Sequence, residues 1–145
     1  MYFLDVVRQG KAVEANVIQG SSGAGKTTLL DTIAQRKSEG RVEGRMLVNG
    51  QPLNGSFGRS CAFCLQQDVH EPNQTVREAF QFSANLRQSA DISTAEKMEY
   101  VEHIISLLEL EPIADAIIGE GETGLGIEER KRVTIGVELA ARPSA

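Results

Sequence analysis

The residues best suited to chemistry form one glycine-rich segment near the beginning of the chain, called here the phosphate loop. Its residues are Gly20, Ser21, Ser22, Gly23, Ala24, Gly25, Lys26, Thr27 and Thr28. The segment fits the pattern G-x-x-x-x-G-K-S/T at every defined position. Glycines let a backbone bend round an anion and offer it several N–H donors, with no Cβ in the way. The segment therefore predicts phosphate binding.

The polar residues at the end of the phosphate loop have separate expected roles. Lys26 is expected to reach the β- and γ-phosphates of a nucleotide, and the Thr27 hydroxyl is expected to ligate Mg²⁺. Thr28 can add a phosphate contact. The alternative is a glycine-rich turn that only caps a helix, which the strand-loop-helix context disfavours. The loop alone does not choose among a small-molecule kinase, a GTPase, a motor and a transporter ATPase.

The elements that must position this loop are a strand before it and a helix after it. Residues 17–18 are predicted to end a short strand, and a helix is predicted to begin at Lys26, with Gly40 as its stop. Apolar side chains recur there at helical spacing. They are Leu29, Leu30, Ile33 and Ala34.

The middle of the chain predicts a small antiparallel β excursion. A strand is expected over residues 42–49, with a tight turn at Asn49-Gly50, and another over residues 61–65. Cys61 and Cys64 are interpreted as small apolar core residues of that second strand. A structural zinc site would need four ligands, and a redox pair favours the start of a helix. His70 and His103 are expected to be ordinary surface or packing histidines.

Three helices are predicted in the second half. Thr75 to Glu78 and Ser93 to Glu96 both fit the capping box, and a last helix is expected from about Ile127 towards Ala141, before Pro143. The second helix should end at Glu111-Pro112. Its apolar stripe consists of Met98, Val101, Ile105 and Leu108.

Length and charge limit the possible functions. The chain has 145 residues, enough for one domain with a real core. Its 20 acidic and 15 Lys or Arg residues give a net charge of -5, so nothing suggests nucleic acid as a partner. No stretch approaches the ~20 apolar residues of a membrane span, and no secretory leader is recognisable.

Beyond the loop, residues 20–143 resemble the nucleotide-binding domains of ATP-binding-cassette transporters, especially the fungal pleiotropic-drug-resistance transporters and the multidrug and sterol half-transporters. This resemblance implies an α/β P-loop NTPase fold with a RecA-like core. Residues 1–145 would be a partial nucleotide-binding domain, with the core and β excursion over about 17–74 and an α-helical subdomain over about 75–143. The stretches that carry the resemblance are residues 23–31, 47–53, 66–70 with 75–78, and 129–139.

The resemblance also assigns residues outside the loop. Gln66 falls where the family has its Q-loop glutamine, whose amide oxygen would complete the Mg²⁺ shell. Gln67 is the alternative by one register, and taken alone either residue reads as a polar residue at a strand end. The signature segment, normally Leu-Ser-Gly-Gly-Gln, is occupied by Leu125, Gly126, Ile127, Glu128 and Glu129.

The signature segment departs from the family pattern in ways that weaken phosphate binding. Gly126 lacks the serine hydroxyl, Ile127 places a β-branched side chain where a close backbone approach is needed, and Glu128 brings negative charge. An intact phosphate loop beside such a signature is similar to the second nucleotide-binding half of pleiotropic-drug-resistance transporters. No aromatic residue can be matched to adenine stacking, since Tyr2 and Phe3 lie outside the resemblance.

The family implies ATP and Mg²⁺ as ligands, and a second nucleotide-binding domain and transmembrane domains as partners. The domain would lie on the cytoplasmic face of a membrane and drive export. The sequence ends at Ala145, where the family continues into the Walker-B strand and the switch histidine, so no catalytic residue is assigned and no hydrolysis is expected from this segment alone. The alternatives are an inactive nucleotide-binding remnant or gene-model fragment, and a small P-loop kinase.

Overall fold

A computed structural model describes residues 18–48, 50–53, 55, 57–121 and 123–143. The chain divides into two compact units between Gly58 and Arg59. The predicted subdomain division near residue 75 stays a prediction.

The first unit contains one helix and one small hairpin. Helix α1 spans Lys26–Ile33. Strands β1 (Leu47–Val48) and β2 (Gln51–Pro52) pair in antiparallel fashion. Gly50 lies in the turn between them with φ 77°, a conformation that glycine adopts without strain. The predicted turn is therefore confirmed, and the strand predicted over 42–49 is reduced to two described residues.

Helix α1 ends at Ile33, before the predicted stop at Gly40, because backbone hydrogen bonds terminate it there. The N–H of Arg36 bonds to the Asp31 carbonyl at 2.7 Å, and the N–H of Gln35 bonds to the Thr32 carbonyl at 3.1 Å. These two bonds form a Schellman motif, and Gln35 occupies its left-handed position with φ 56°. Gly40 was therefore the wrong stop. The strand predicted at residues 17–18 is not seen at Ile18, and Val17 lies outside the described residues.

The second unit is built on three packed helices, α3 (Val76–Arg87), α4 (Thr94–Leu107) and α5 (Ile127–Ala140). A short helix α2 (Phe57–Ser60) starts just before the unit boundary, and a 3-10 turn spans Glu111–Ile113. A hairpin of β3 (Gly119–Glu120) and β4 (Thr123–Gly124) precedes α5. The described strands thus form antiparallel hairpins only, and the parallel sheet of a RecA-like core is not among them.

Both predicted capping boxes are confirmed. The Thr75 hydroxyl accepts a hydrogen bond from the Glu78 N–H at 3.2 Å, and the Glu78 carboxylate accepts the Thr75 N–H at 2.9 Å. Ser93 and Glu96 exchange the same two bonds at the start of α4. Each box satisfies two amides that the helix leaves without partners, which fixes where α3 and α4 begin.

The core of the second unit lies where the three helices meet. Gly136 of α5 faces the Phe80 ring of α3 so closely that a Cβ added to the glycine would lie 1.9 Å from the ring Cζ. The predicted α4 stripe is only partly confirmed, because Val101 and Ile105 are buried while Met98 and Leu108 are half-buried. The largest fully buried side chains are Phe80, Ile105, Leu110, Ile118, Val76, Val101 and Val133.

The prediction for the two cysteines was wrong. Residues 61–65 form no strand, Cys61 is half-buried and Cys64 is exposed. Desolvation of the sulfur and the nearby Glu138 carboxylate nevertheless raise the pKa of Cys64, which keeps the thiol protonated. The backbone N–H of Phe63 bonds to the Glu138 carboxylate at 3.2 Å. At Phe63 the backbone is therefore bonded to a side chain of α5, where a strand would bond to a neighbouring strand.

Candidate nucleotide-binding site

The phosphate loop has the backbone geometry of a tight turn. Gly23 and Gly25 have φ values of 79° and 89°, in the left-handed region that residues with a Cβ rarely adopt. The Ala24 N–H bonds to the Ser21 carbonyl at 3.2 Å and closes the turn. The glycines are thus required by backbone conformation, because nothing lies within 4 Å of a Cβ added at either one.

The Lys26 side chain folds back over the loop. Its Nζ donates to the Gly20 carbonyl at 2.9 Å and to the Ser21 carbonyl at 2.8 Å. An ammonium group has three N–H donors, and these bonds use two of them. The positive charge is therefore held at the loop, with a donor left for an anion.

The start of α1 supplies further donors next to this charge. Its N-cap is Gly25, which has no side chain to bond the amides of the first turn, and the first intrahelical bond is from the Leu29 N–H to the Gly25 carbonyl at 2.9 Å. Thr27 and Thr28 are exposed in that turn. Uncapped amides, the positive end of the helix, a lysine and a hydroxyl together fit a polyphosphate with a divalent cation.

The second residue assigned to Mg²⁺ lies in the other unit. Gln66 is exposed, and its backbone carbonyl accepts a hydrogen bond from the Lys131 Nζ at 3.2 Å. Its shared role with Thr27 therefore stays a prediction. In the part of the chain that the structure describes, no group of three or more His, Cys, Asp or Glu side chains could hold a metal ion.

A polar network joins the residues after Gln66 to α5. The Lys131 Nζ lies 2.7 Å from Asp68 Oδ1, and the Thr134 hydroxyl lies 2.6 Å from the same oxygen. The Thr134 hydroxyl is also 3.0 Å from the Arg130 carbonyl and 2.9 Å from His70 Nε2. Since the carboxylate and the carbonyl only accept, the single hydroxyl proton goes to one of them, and His70 Nε2 must carry the proton that it donates.

The charge state of Asp68 follows from its partners. Desolvation opposes ionisation, but the hydrogen bonds from Lys131 and Thr134 outweigh it and lower the pKa of Asp68. Neither of its α5 partners, Lys131 and Thr134, was predicted from the sequence. The only sequence signal was the basic run at residues 130–132, which does not show which acidic group it faces.

We expect the free energy of unfolding to decrease as the pH falls below about 7.5, because His70 is harder to protonate in the folded state than in the unfolded state. Desolvation is the main cause that lowers the pKa of His70 from 6.5. Below 6.5 the unfolded state therefore binds more protons than the folded state, and the free energy of unfolding decreases until pH reaches the lowered folded pKa. Above about pH 7.5 this contribution is constant.

Urea unfolding at several values between about pH 5.5 and 7.5 would measure this effect. His70→Gln, which keeps an N–H donor for Thr134, should flatten the dependence. Both proteins retain His103, the other of the two histidines, so its titration cancels in the comparison. Equal pH dependence in the two proteins would contradict the assignment.

The signature segment lies at the start of α5. Leu125 is buried, while Ile127 is 88% exposed. The Gly126 N–H donates to Glu129 Oε2 at 2.7 Å, and Glu128 pairs with Arg132 at 2.7 Å. The Gly126 amide is thus already bonded to a carboxylate of the same segment.

Arg130 and the β3–β4 hairpin fix this segment in place. Arg130 Nε donates to the Leu125 carbonyl at 2.9 Å, and its terminal nitrogen donates to the Gly121 carbonyl at 2.9 Å. The hairpin strands approach so closely that a Cβ at Gly119 would lie 2.1 Å from the Thr123 carbonyl oxygen. Glycine is therefore needed at that approach.

No helix among the described residues is both long and apolar enough to cross a membrane.

The family model described as "ABC transporter" matches residues 7–145. ABC multidrug transporter I of Aspergillus fumigatus is 63% identical over 126 residues, which are 87% of this chain and 8% of that transporter.

Relatives in other organisms match equally short parts of their own length. ABC transporter G family member 21 of Dictyostelium discoideum is 53% identical over 135 residues, 92% of this chain and 9% of that protein. A pleiotropic ABC efflux transporter of multiple drugs from Candida glabrata is 54% identical over 126 residues, 87% of this chain and 8% of that protein. The chain therefore spans less than a tenth of these relatives. With nearly its whole length matched by the family model, the chain belongs to the ABC transporter family.

Proposed function

We propose that this chain binds ATP and Mg²⁺ as part of the ATPase domain of a transporter that exports small molecules or lipids across a membrane. The observation that carries the proposal is the position of Lys26. Its ammonium is held by the Gly20 and Ser21 carbonyls beside the uncapped start of α1. Positive charge and backbone N–H donors then converge on one place, which suits a polyphosphate.

Each residue of the site has a binding or orienting role. The backbone of residues 20–28 surrounds the phosphates, and Lys26 offers its remaining donor to the β- and γ-phosphates. The Thr27 hydroxyl and the Gln66 amide oxygen are the proposed Mg²⁺ ligands, and Thr28 adds a phosphate contact. Mg-ATP supplies the phosphoryl group whose transfer to water releases energy, and the protein contributes positioning and charge. We assign no residue of this chain to the activation of water.

The partners follow from the relatives. Two of them are named as a multidrug transporter and an efflux transporter of multiple drugs, which supports export as the task of the complete protein. The proposed partners are a second nucleotide-binding domain and the transmembrane domains, with this domain on the cytoplasmic face.

The intact phosphate loop and the altered signature favour the second nucleotide-binding half of a pleiotropic-drug-resistance type of transporter. The occupied Gly126 N–H and the exposed Ile127 side chain add to the altered sequence. Both reduce the ability of this segment to receive a phosphate. In such a transporter the two nucleotide sites would differ.

Calorimetric titration with Mg-ATP tests the proposed binding. Lys26→Ala should weaken binding about 100-fold, because a charge-assisted bond to phosphate is worth up to about 3 kcal/mol. Lys37→Ala is the matched control, since Lys37 is an exposed lysine outside the loop, and it should bind like the wild type. Circular dichroism of the three proteins would verify equal folding. Equal affinities for wild type and Lys26→Ala would refute the proposal.

A further inference from the structure

Residues 64–70, called here the strap, are attached to the second unit in a different way from the residues that follow them. Backbone hydrogen bonds join residues 72–77 to residues 114–119, for example from the Ile118 N–H to the Gln74 carbonyl at 2.9 Å. Within the described part of the chain, the strap forms no hydrogen bond between its backbone and another backbone group. Its attachment must therefore involve side chains.

Two side chains of α5, Lys131 and Thr134, hold the strap, and their contacts with it are called here the latch. The Lys131 Nζ lies 2.7 Å from Asp68 Oδ1 and 3.2 Å from the Gln66 carbonyl oxygen. The Thr134 hydroxyl lies 2.6 Å from Asp68 Oδ1 and 2.9 Å from His70 Nε2. The latch thus contacts three residues of the strap, all through polar atoms.

Apolar packing contributes little to the attachment of the strap. None of its residues is buried, and only Asp68 and His70 are half-buried. Its large apolar side chains point to solvent, with Leu65 51% exposed and Val69 75% exposed. The Asp68 side chain is only 17% exposed, so solvent screens its pair with Lys131 less than an ordinary surface pair. The latch is therefore the main attachment.

The strap also has free space beside it. A cavity of about 260 Å³ is lined by residues 68–70 of the strap, by residues 118–120, and by Pro72 and Arg130. In a close-packed interior a segment cannot move without displacing its neighbours. On the side of this cavity the strap can move without that cost.

We propose that the strap is a conformational device that leaves α5 as one piece when the latch breaks, while the three helices stay folded. One end stays attached because the Phe63 N–H bonds to the Glu138 carboxylate. The other end stays attached because the Gly119 N–H bonds to the Pro72 carbonyl. Opening is then limited to residues 64–70 and exposes little apolar surface, so it needs less free energy than global unfolding. The device lies within the second unit and needs no ligand.

Limited proteolysis of the 145-residue chain under native conditions tests the device, with cleavage sites identified by mass spectrometry. Chymotrypsin can cleave after Leu65 once the strap is released. Lys131→Met keeps an unbranched side chain and removes the ammonium. It should raise the rate of this cleavage about tenfold, because hydrogen bonds from a charged donor change an equilibrium by that factor or more. Thr134→Val removes only the hydroxyl and should raise the same rate.

Two controls show whether the effect belongs to the latch. Arg77→Met removes a cation of the same unit that pairs with Glu102 and Asp115, neither of which contacts the strap. It should leave cleavage after Leu65 at the wild-type rate. Lys131→Arg keeps the positive charge and should cleave much more slowly than Lys131→Met.

The dependence on urea separates release of the strap from global unfolding. Local opening exposes little surface, so low urea concentrations should change the rate of cleavage after Leu65 only slightly. Global unfolding, followed by circular dichroism, has the larger dependence on urea expected for a whole chain. Cleavage with the same urea dependence as global unfolding would mean that strap and helices open together, and the proposal would be wrong.

Two other results would also overturn the proposal. One is cleavage after Leu65 in the wild type as fast as in the urea-unfolded chain, because the latch would then hold nothing. The other is an equal cleavage rate in wild type, Lys131→Met and Thr134→Val. If Lys131→Met fails to fold, Thr134→Val decides by the same criteria, since valine nearly matches threonine in shape.

Discussion

Replacing Gly136 with alanine should lower the free energy of unfolding by about 2–3 kcal/mol, although alanine is the better helix former by about 1 kcal/mol. The added Cβ would lie 1.9 Å from the Phe80 Cζ and 2.6 Å from Cε2. Phe80 is fully buried, so its ring cannot move aside without displacing other core side chains. The steric cost should therefore exceed the gain in helix propensity.

Urea denaturation of wild type, Gly136→Ala, Phe80→Leu and the double variant measures this contact. Leucine lacks the ring atoms nearest to the added Cβ, so Gly136→Ala should cost less in the Phe80→Leu background than in the wild type. A Gly136→Ala protein as stable as the wild type would contradict the close approach of α3 and α5.

The features predicted correctly from sequence are those that a few neighbouring residues determine. Thr75 with Glu78 and Ser93 with Glu96 encode their own capping bonds, because donor and acceptor lie three residues apart. The glycines of the phosphate loop likewise predict a bent backbone there, and Gly23 and Gly25 have the positive φ values of such a turn. The last helix was predicted from Ile127, where it begins.

The incorrect predictions concern features that the local sequence does not determine. Gln35 takes a left-handed position that glycine usually fills, so the end of α1 had no sequence signal. Residues 61–65 have an apolar pattern typical of a strand, but the Phe63 N–H bonds to the Glu138 carboxylate, 75 residues away. Lys131 and Thr134 are also distant from Asp68 in the sequence, so these partners were not predicted. The packing of Gly136 against Phe80 was not predicted for the same reason.

Charge, a bonded amide and a bulky side chain are all expected to weaken phosphate binding by the signature segment. A carboxylate about 4 Å from a phosphate oxygen costs about 4 kcal/mol at an effective dielectric near 20. The ion pair of Glu128 with Arg132, at 2.7 Å, offsets part of this charge. The bond from the Gly126 N–H to Glu129 removes a donor, and Ile127 adds bulk. The steric and donor effects therefore remain even where the charge is balanced.

In the transporter that we propose, each nucleotide site would combine the phosphate loop of one nucleotide-binding domain with the signature segment of the other. We expect the site on residues 20–28 to hydrolyse ATP, while the site facing residues 125–129 binds nucleotide and turns over slowly. Lys26→Ala should then abolish ATPase activity and export, because it removes the charge at the hydrolytic site. The combined change Gly126→Ala and Glu128→Ala should alter both by less than about twofold, because it affects the slow site.

Side-by-side measurement of ATPase rate and export in the two variants tests this asymmetry, provided that both reach the membrane in equal amounts. The Gly126 backbone, with φ -65° and ψ 166°, accepts alanine without strain, so the combined variant should fold. The loss of Glu128 frees Arg132, which has a second partner in Glu109 at 3.6 Å. Any large loss of activity would then come from the nucleotide site and not from misfolding. Comparable losses in the two variants would mean that both sites hydrolyse ATP and that the altered signature still serves catalysis.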